Sequence, residues 1–198
     1  MLIIGLTGSI GTGKSTTGKM FTEYGIPVYD ADAAVHALYD GGAAVDPIES
    51  LFPGTRVDNK IDRQLLSKQV LNDSSKLKAL EAIVHPLVHE AEREFLARQR
   101  AAGKRQVILE IPLLLESGIA RRCGVVVVTV APPDIQRQRV LARSNMTPEK
   151  FEAILAKQMP EDEKRSKAHF IVDTSLGLEV ARIQVCDIVR ALRPVRAI

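Results

Sequence analysis

Eight consecutive residues, Gly8-Ser9-Ile10-Gly11-Thr12-Gly13-Lys14-Ser15, limit what this chain can fold into more than any other feature. They fit G-x-x-x-x-G-K-[ST] without a gap, the pattern of a phosphate-binding loop between a strand and a helix. Glycines permit backbone angles that a Cβ forbids and let the main chain approach a phosphate closely. Successive N–H groups then turn inward as an anion nest. A helix starting near Lys14 adds its positive N-terminal end. Lys14 is placed to reach the β and γ phosphates, and the Ser15 hydroxyl to ligate Mg2+. Gly8, Gly11, Thr12, Gly13, Lys14, Ser15 and Thr16 are the predicted nucleotide-binding residues, and ATP with Mg2+ the implied ligands.

The flanking sequence supplies the context that this loop needs. Residues 2–6 are a short apolar run that predicts a buried strand, and residues 14–24 predict a helix ended near Gly25. Further strands are expected at 27–30, 107–110, 125–130 and 170–172, and a helix over 32–39 stopped by Gly41-Gly42. The run 125–130 is continuously β-branched and mostly valine, typical of a strand buried on both faces of a parallel sheet. Leu178, Ala181, Val185, Ile188 and Leu192 mark the apolar stripe of a terminal helix. Strands alternating with helices imply an α/β, three-layer fold around a parallel five-stranded sheet. The stretch 43–100 differs, because no strand is expected in it. Pro53-Gly54 marks a turn, 62–71 has helical spacing, and Asn72-Asp73-Ser74 offers caps for a longer helix. In that helix Leu77, Leu80, Val84, Leu87, Val88, Ala91 and Phe95 recur at helical intervals, with Pro86 expected to kink or interrupt it.

Composition removes several classes. The net charge of +3 suits a small polyanion, and no long stripe of Lys and Arg forms a nucleic-acid footprint. Cys123 and Cys186 have no metal-type spacing and are expected as reduced thiols. With no targeting segment and no membrane-length apolar run, the expectation is a cytoplasmic protein.

Translation-type GTPases need a guanine-reading N-K-x-D after a strand, and none is expected here. No L-S-G-G-Q-like signature of transport ATPases occurs either. A helical insertion after the second strand and an Arg-rich segment after the fourth suit a small-molecule kinase. Asp30 and Asp32 fall at the carboxyl end of the second strand, where open α/β sheets gather ligands. A carboxylate there can accept an acceptor hydroxyl's proton; Asp32 is the leading candidate, and Asp30 is equally suited to cap a helix. Gln136, Arg139 and Arg143 share one helical face. Arginine forks suit phosphate, although a solvated face is the competing reading.

Other distinctive segments are Tyr29-Asp30-Ala31-Asp32, Val84-His85-Pro86, Ile111-Pro112-Leu113-Leu114-Leu115-Glu116, Gln158-Met159-Pro160 and Val172-Asp173. With the phosphate loop and Gln136, Arg139 and Arg143, they make the chain resemble the dephospho-CoA kinase family almost end to end. The resemblance implies a P-loop kinase core over 1–34, 104–132 and 168–198, a helical CoA-binding insertion over 35–103 and a helical lid over 133–167. It implies ATP and ADP, dephospho-CoA and CoA as partners, no nucleic acid or membrane, and a monomer or small homo-oligomer. It makes Asp32 the general base and has Lys14, Arg139 and Arg143 offset charge on the moving phosphoryl group. His85 would face the acceptor, or else serve as a capping or core histidine. The rival reading is a P-loop kinase for a nucleoside monophosphate or sugar.

Several positions depart from the family pattern. Ser9 replaces a usual Gly, Glu110 a usual Asp, Ile154 a usual Arg, and Thr174 and Leu176 an Asn and a Gly. Ile154 is expected to pack with Phe151 and Leu155. The mixed-charge run 161–167 is expected to be a solvated helix end, with Lys164 or Arg165 near the nucleotide as the other reading.

Overall fold

The computed structural model describes residues 1–71, 73–144 and 146–193. Asn72, one of the expected helix caps, lies outside the described residues, as do Asn145 of the expected lid and 194–198 of the expected core. The backbone forms two compact units, Met1–Asp30 with Gln99–Ile198, and Ala31–Arg98.

The first unit is built on five parallel strands. They are β1 (Leu2–Gly8), β2 (Val28–Asp30), β5 (Gln106–Glu110), β6 (Val125–Val130) and β7 (Phe170–Asp173), in the order β2-β5-β1-β6-β7. Its helices are α1 (Lys14–Glu23), α6 (Pro133–Leu141), α7 (Pro148–Leu155), α8 (Glu161–Ser166) and α9 (Leu178–Leu192). All six residues of β6 are buried, as the valine run predicts. Alternation along β1 assigns its two faces. Leu2, Ile4 and Leu6 pack with Met20 and Phe21 of α1 and with Ala181, Val185, Ile188 and Leu192 of α9. On the other face, a Cβ on Gly5 would lie 2.5 Å from Leu114 Cδ2 and 2.9 Å from Cys123 Sγ. Phe21 is fully buried, so truncating it to Ala should cost about 3–5 kcal/mol. Leu178 departs from the expected stripe: it is 61% exposed at the start of α9.

The second unit contains α2 (Ala31–Tyr39), α3 (Val45–Leu51), β3 (Arg56–Val57), β4 (Lys60–Ile61), α4 (Arg63–Val70) and most of α5 (Ser74–Ala101). Ala44, Val45, Ile48, Phe52, Ile61, Leu66, Val70, Leu80 and Val84 form its core. Asp62 caps α4 through Gln64 and Leu65 N–H, and Asp73 Oδ1 accepts from Ser75 and Lys76 N–H at the start of α5.

Three expectations fail here. The stretch does contain strands: β3 and β4 pair antiparallel across Asp58 and Asn59, both at positive φ, as a tight hairpin turn requires. Of the kink or interruption expected at Pro86, the interruption does not occur, because α5 runs through it. Ala82, whose carbonyl Pro86 deprives of a donor, is exposed, so water can replace that bond. Finally, Asn59-Lys60-Ile61-Asp62 does spell N-K-x-D after a short strand. In this arrangement Asn59 Oδ1 accepts from Arg56 and Asp62 caps α4.

Candidate active site

The site in the first unit starts where β1 and β6 end side by side, with Gly8 opposite Thr129. A Cβ on Gly8 would sit 2.1 Å from Thr129 Oγ1, so the loop can leave the sheet only through glycine. Thr12 Oγ1 donates to Ser9 O at 2.7 Å and shares a 2.8 Å hydrogen bond with Thr129 Oγ1, which closes the turn. Gly13, at φ 85°, is the N-cap of α1 in a left-handed conformation that turns the chain into the helix. The α1 N-terminus has neither an acidic first turn nor a side-chain cap. Its positive end therefore remains available to an anion.

Lys14 and Ser15 converge on one carboxylate. Lys14 Nζ lies 2.9 Å from Glu110 Oε1, and Ser15 Oγ donates to the same oxygen at 2.7 Å. The Glu110 side chain is 3% exposed and that of Lys14 12%. Gly18 makes room for this contact, since a Cβ there would lie 2.5 Å from Glu110 Oε2. The longer arm of Glu110 thus reaches both phosphate-loop side chains. In the sheet, Asp30 is the register partner of Glu110, which puts two carboxylates at neighbouring strand ends.

Arg139 and Arg143 line a cleft of about 260 Å³ together with Gly11, Gly13, Thr16 and Thr174. Met20, Leu178 and Ala181 add apolar wall, which accounts for the exposure of Leu178. Arg139 donates to Thr174 Oγ1 at 2.8 Å, to Thr174 O at 2.7 Å and to Gly11 O at 3.5 Å. Thr174 Oγ1 in turn donates to Thr12 O at 2.9 Å. Position 174 therefore bridges Arg139 to the loop, a role its residue type alone did not signal.

Gln136 is not on an exposed phosphate-facing stripe with the two arginines. It is 6% exposed, and its Nε2 donates to Ile10 O at 2.6 Å. Gln158 Oε1 accepts from Ile10 N–H at 3.0 Å. Lys164 overturns the solvated-end expectation: it is 1% exposed and lies 3.1 Å from Glu116 Oε1. Ile154 is 36% exposed while Phe151 is 3% exposed, so Ile154 does not pack as expected.

Glu116 and Asp173 are held below the ordinary carboxyl range. Burial would raise Glu116, but hydrogen bonds from Met159 N–H and from its own backbone, together with the Lys164 ammonium, outweigh it. Burial would likewise raise Asp173, but the Ser175 hydroxyl and N–H, with Arg165 and Arg139, lower it.

Asp32 and His85 belong to the second unit. Asp32 is exposed in the first turn of α2, directly after β2, and His85 is exposed on α5. Among the described residues, no helix is long and apolar enough to cross a membrane.

Comparison with known proteins agrees with this architecture. The family model for dephospho-CoA kinase matches residues 2–179. A dephospho-CoA kinase of Rhodopseudomonas palustris (strain HaA2) is 54% identical over 191 residues, 96% of each chain. One of Mesorhizobium japonicum is 56% identical over 193 residues, 98% of each chain. A solved structure from Thermus thermophilus superposes with a TM-score of 0.84 at 36% identity, covering 97% of both chains. That of the Campylobacter jejuni dephospho-CoA kinase gives 0.66 at 26% identity, covering 96% of both. A shikimate kinase from Acinetobacter baumannii shares the fold alone, with a TM-score of 0.55, 20% identity, and coverage of 97% of this chain and 93% of that one. The sheet order, the phosphate loop and these matches together show a P-loop NTPase fold, and the chain belongs to the dephospho-CoA kinase family.

Proposed function

We propose that the protein transfers the terminal phosphoryl group of ATP to the ribose 3′-hydroxyl of dephospho-CoA, giving CoA and ADP. The observation that carries this reading is the convergence of Lys14 and Ser15 on Glu110, at the mouth of a loop closed by Thr12 and Thr129. It presents an ammonium, a hydroxyl and a helix N-terminus to one phosphate chain.

Each residue then has a task. The amides of 11–16 hold the phosphates, and Thr16 and Arg143 border the cleft that receives the nucleotide. Lys14 and Arg139 offset the charge on the transferred group. To do so, Arg139 exchanges its bonds to Thr174 and Gly11 for phosphate oxygens. Ser15 Oγ and the Glu110 carboxylate are hard oxygen donors 2.7 Å apart, the ligand type that Mg2+ takes, with Ser15 as the direct ligand. When bound, Mg2+ neutralises charge on the β and γ oxygens. Asp32 accepts the proton of the 3′-hydroxyl as general base, and His85 contributes to acceptor binding. In this scheme 35–103 is the acceptor-binding insertion, 133–167 the lid, and the remainder the core.

The test is a coupled assay for ADP with purified protein, ATP, Mg2+ and a panel of acceptors. Turnover with dephospho-CoA well above that with nucleoside monophosphates or sugars is expected. Comparable or better turnover with one of those acceptors would overturn the assignment.

A further inference from the structure

Ile10, in the middle of the phosphate loop, is held at both of its backbone groups by glutamines. Gln158 accepts from its N–H, and Gln136 donates to its carbonyl. Gln136 is fixed within α6, but Gln158 sits in a non-helical strap between α7 and α8 that ends in Pro160. That strap has no ladder of its own. The N–H groups of 156–158 turn back onto the end of α7, and beyond them the strap is anchored by Glu116, whose Oε1 accepts from Met159 N–H at 2.8 Å. The same oxygen faces Lys164 Nζ at 3.1 Å, with side-chain exposures of 18% and 1%. This ion pair is off hydrogen-bonding geometry. Neither the ammonium nor Glu116 Oε2 has a hydrogen-bond partner among the described residues.

An arrangement of this kind is a poor device for stability. Apolar residues of similar volume commonly serve as well as a buried ion pair, and buried polar atoms without partners are rare enough to need a reason. The reason available here is geometric. The strap must be held at Met159 for Gln158 to meet the Ile10 amide one residue away, and Glu116 supplies the acceptor that does this. Lys164, the buried residue of α8, sets its ammonium against the same acceptor, and the Met159 N–H contributes more than that ammonium to the depressed pKa of Glu116.

We infer that Glu116 is a positioning residue for the nucleotide site: it fixes the strap at Met159 so that Gln158 sets the conformation of the phosphate loop at Ile10, with Lys164 as its charge partner. The inference rests on the ATP-site reading of the loop, but not on the identity of the acceptor.

The experiment uses the full chain and a non-hydrolysable ATP analogue with Mg2+, measured by calorimetry, alongside amide exchange at Ile10. Replacing the pair by Glu116→Leu with Lys164→Met removes the anchor together with both charges. Affinity for the analogue should fall about tenfold, and Ile10 exchange should quicken by about as much, the scale of one lost hydrogen bond. Glu116→Gln with Lys164→Met keeps an oxygen for Met159 N–H and should restore both values to within about twofold of wild type. Wild-type affinity and protection in the first variant would overturn the inference, as would failure of the second to restore them. If the first variant does not fold, Gln158→Leu, which leaves the pair intact, must show the same loss, and wild-type affinity there overturns the inference. Kinetically, KM for ATP should rise while KM for the acceptor stays constant; a purely structural pair would lower only the folded fraction. A wild-type protein that binds the analogue but does not turn over dephospho-CoA would refute the proposed reaction without touching this inference.

Discussion

Replacing Gly18 by alanine should destabilise the protein, although the substitution is in a helix interior. Intrinsic propensity favours alanine there by about 0.8–1.0 kcal/mol. The added Cβ, however, would lie 2.5 Å from Glu110 Oε2, and Glu110 is 2% exposed with little room to retreat. The carboxylate must swing off Lys14 and Ser15. Hydrogen bonds to a charged group contribute roughly 1.5–3 kcal/mol each. Losing both therefore outweighs the propensity gain, for a net loss of about 2–5 kcal/mol. In a chain of 198 residues this lowers Tm by roughly 5–20 °C. Differential scanning calorimetry measures the shift, and turnover with ATP should fall in the same variant because Lys14 and Ser15 lose their common support. A Gly18→Ala protein with unchanged or higher Tm and full turnover would refute the account of Glu110.

Lys14→Ala should fold and lose roughly 10²–10³ in kcat, the scale of removing one preorganised donor; wild-type turnover by a folded variant would exclude Lys14 from the chemistry. Asp32→Asn keeps size but removes basicity, so kcat should fall by roughly 10² or more while calorimetric affinity for dephospho-CoA changes little. Retention of more than about a third of turnover would pass the role of base to Asp30 or Glu110. Asp173 has its folded pKa depressed below the ordinary 3.8, so its contribution to stability is complete above that value and is lost as pH falls through the lower folded value. In urea titrations the gap between wild type and Asp173→Asn should therefore narrow as pH drops below 3.8, and a gap that widens would contradict the assignment.

The parts of this molecule that were legible in its sequence are those with a local cause. The five strands of the sheet follow from apolar runs bounded by turn residues, and the phosphate loop follows from a motif whose spacing is dictated by its ligand. The hairpin over 56–61 was not legible, because two-residue strands leave no period to detect; the positive-φ pair Asp58-Asn59 was its only signal. Lys164 reads as solvated because it stands in a mixed-charge run, and its partner Glu116 is 48 residues away in a loop of different character. Ile154 was misjudged from helical spacing to Phe151 and Leu155, which cannot say where the buried arc ends. Arg139 lines the cleft, and its partner Thr174 was not legible because it follows from topology: β7 ends beside β6.

Gly8 opens the motif, yet the contact that demands it is made by the neighbouring strand. A methyl group there would meet the Thr129 hydroxyl at 2.1 Å and the Thr129 carbonyl at 2.7 Å, whether or not a phosphate is present. A descendant of this chain that drifted away from nucleotides would be free to lose Lys14 and Ser15, but would still be purged of substitutions at Gly8. The first glycine thus records ancestry of the fold, and the lysine and serine record continued use of the site.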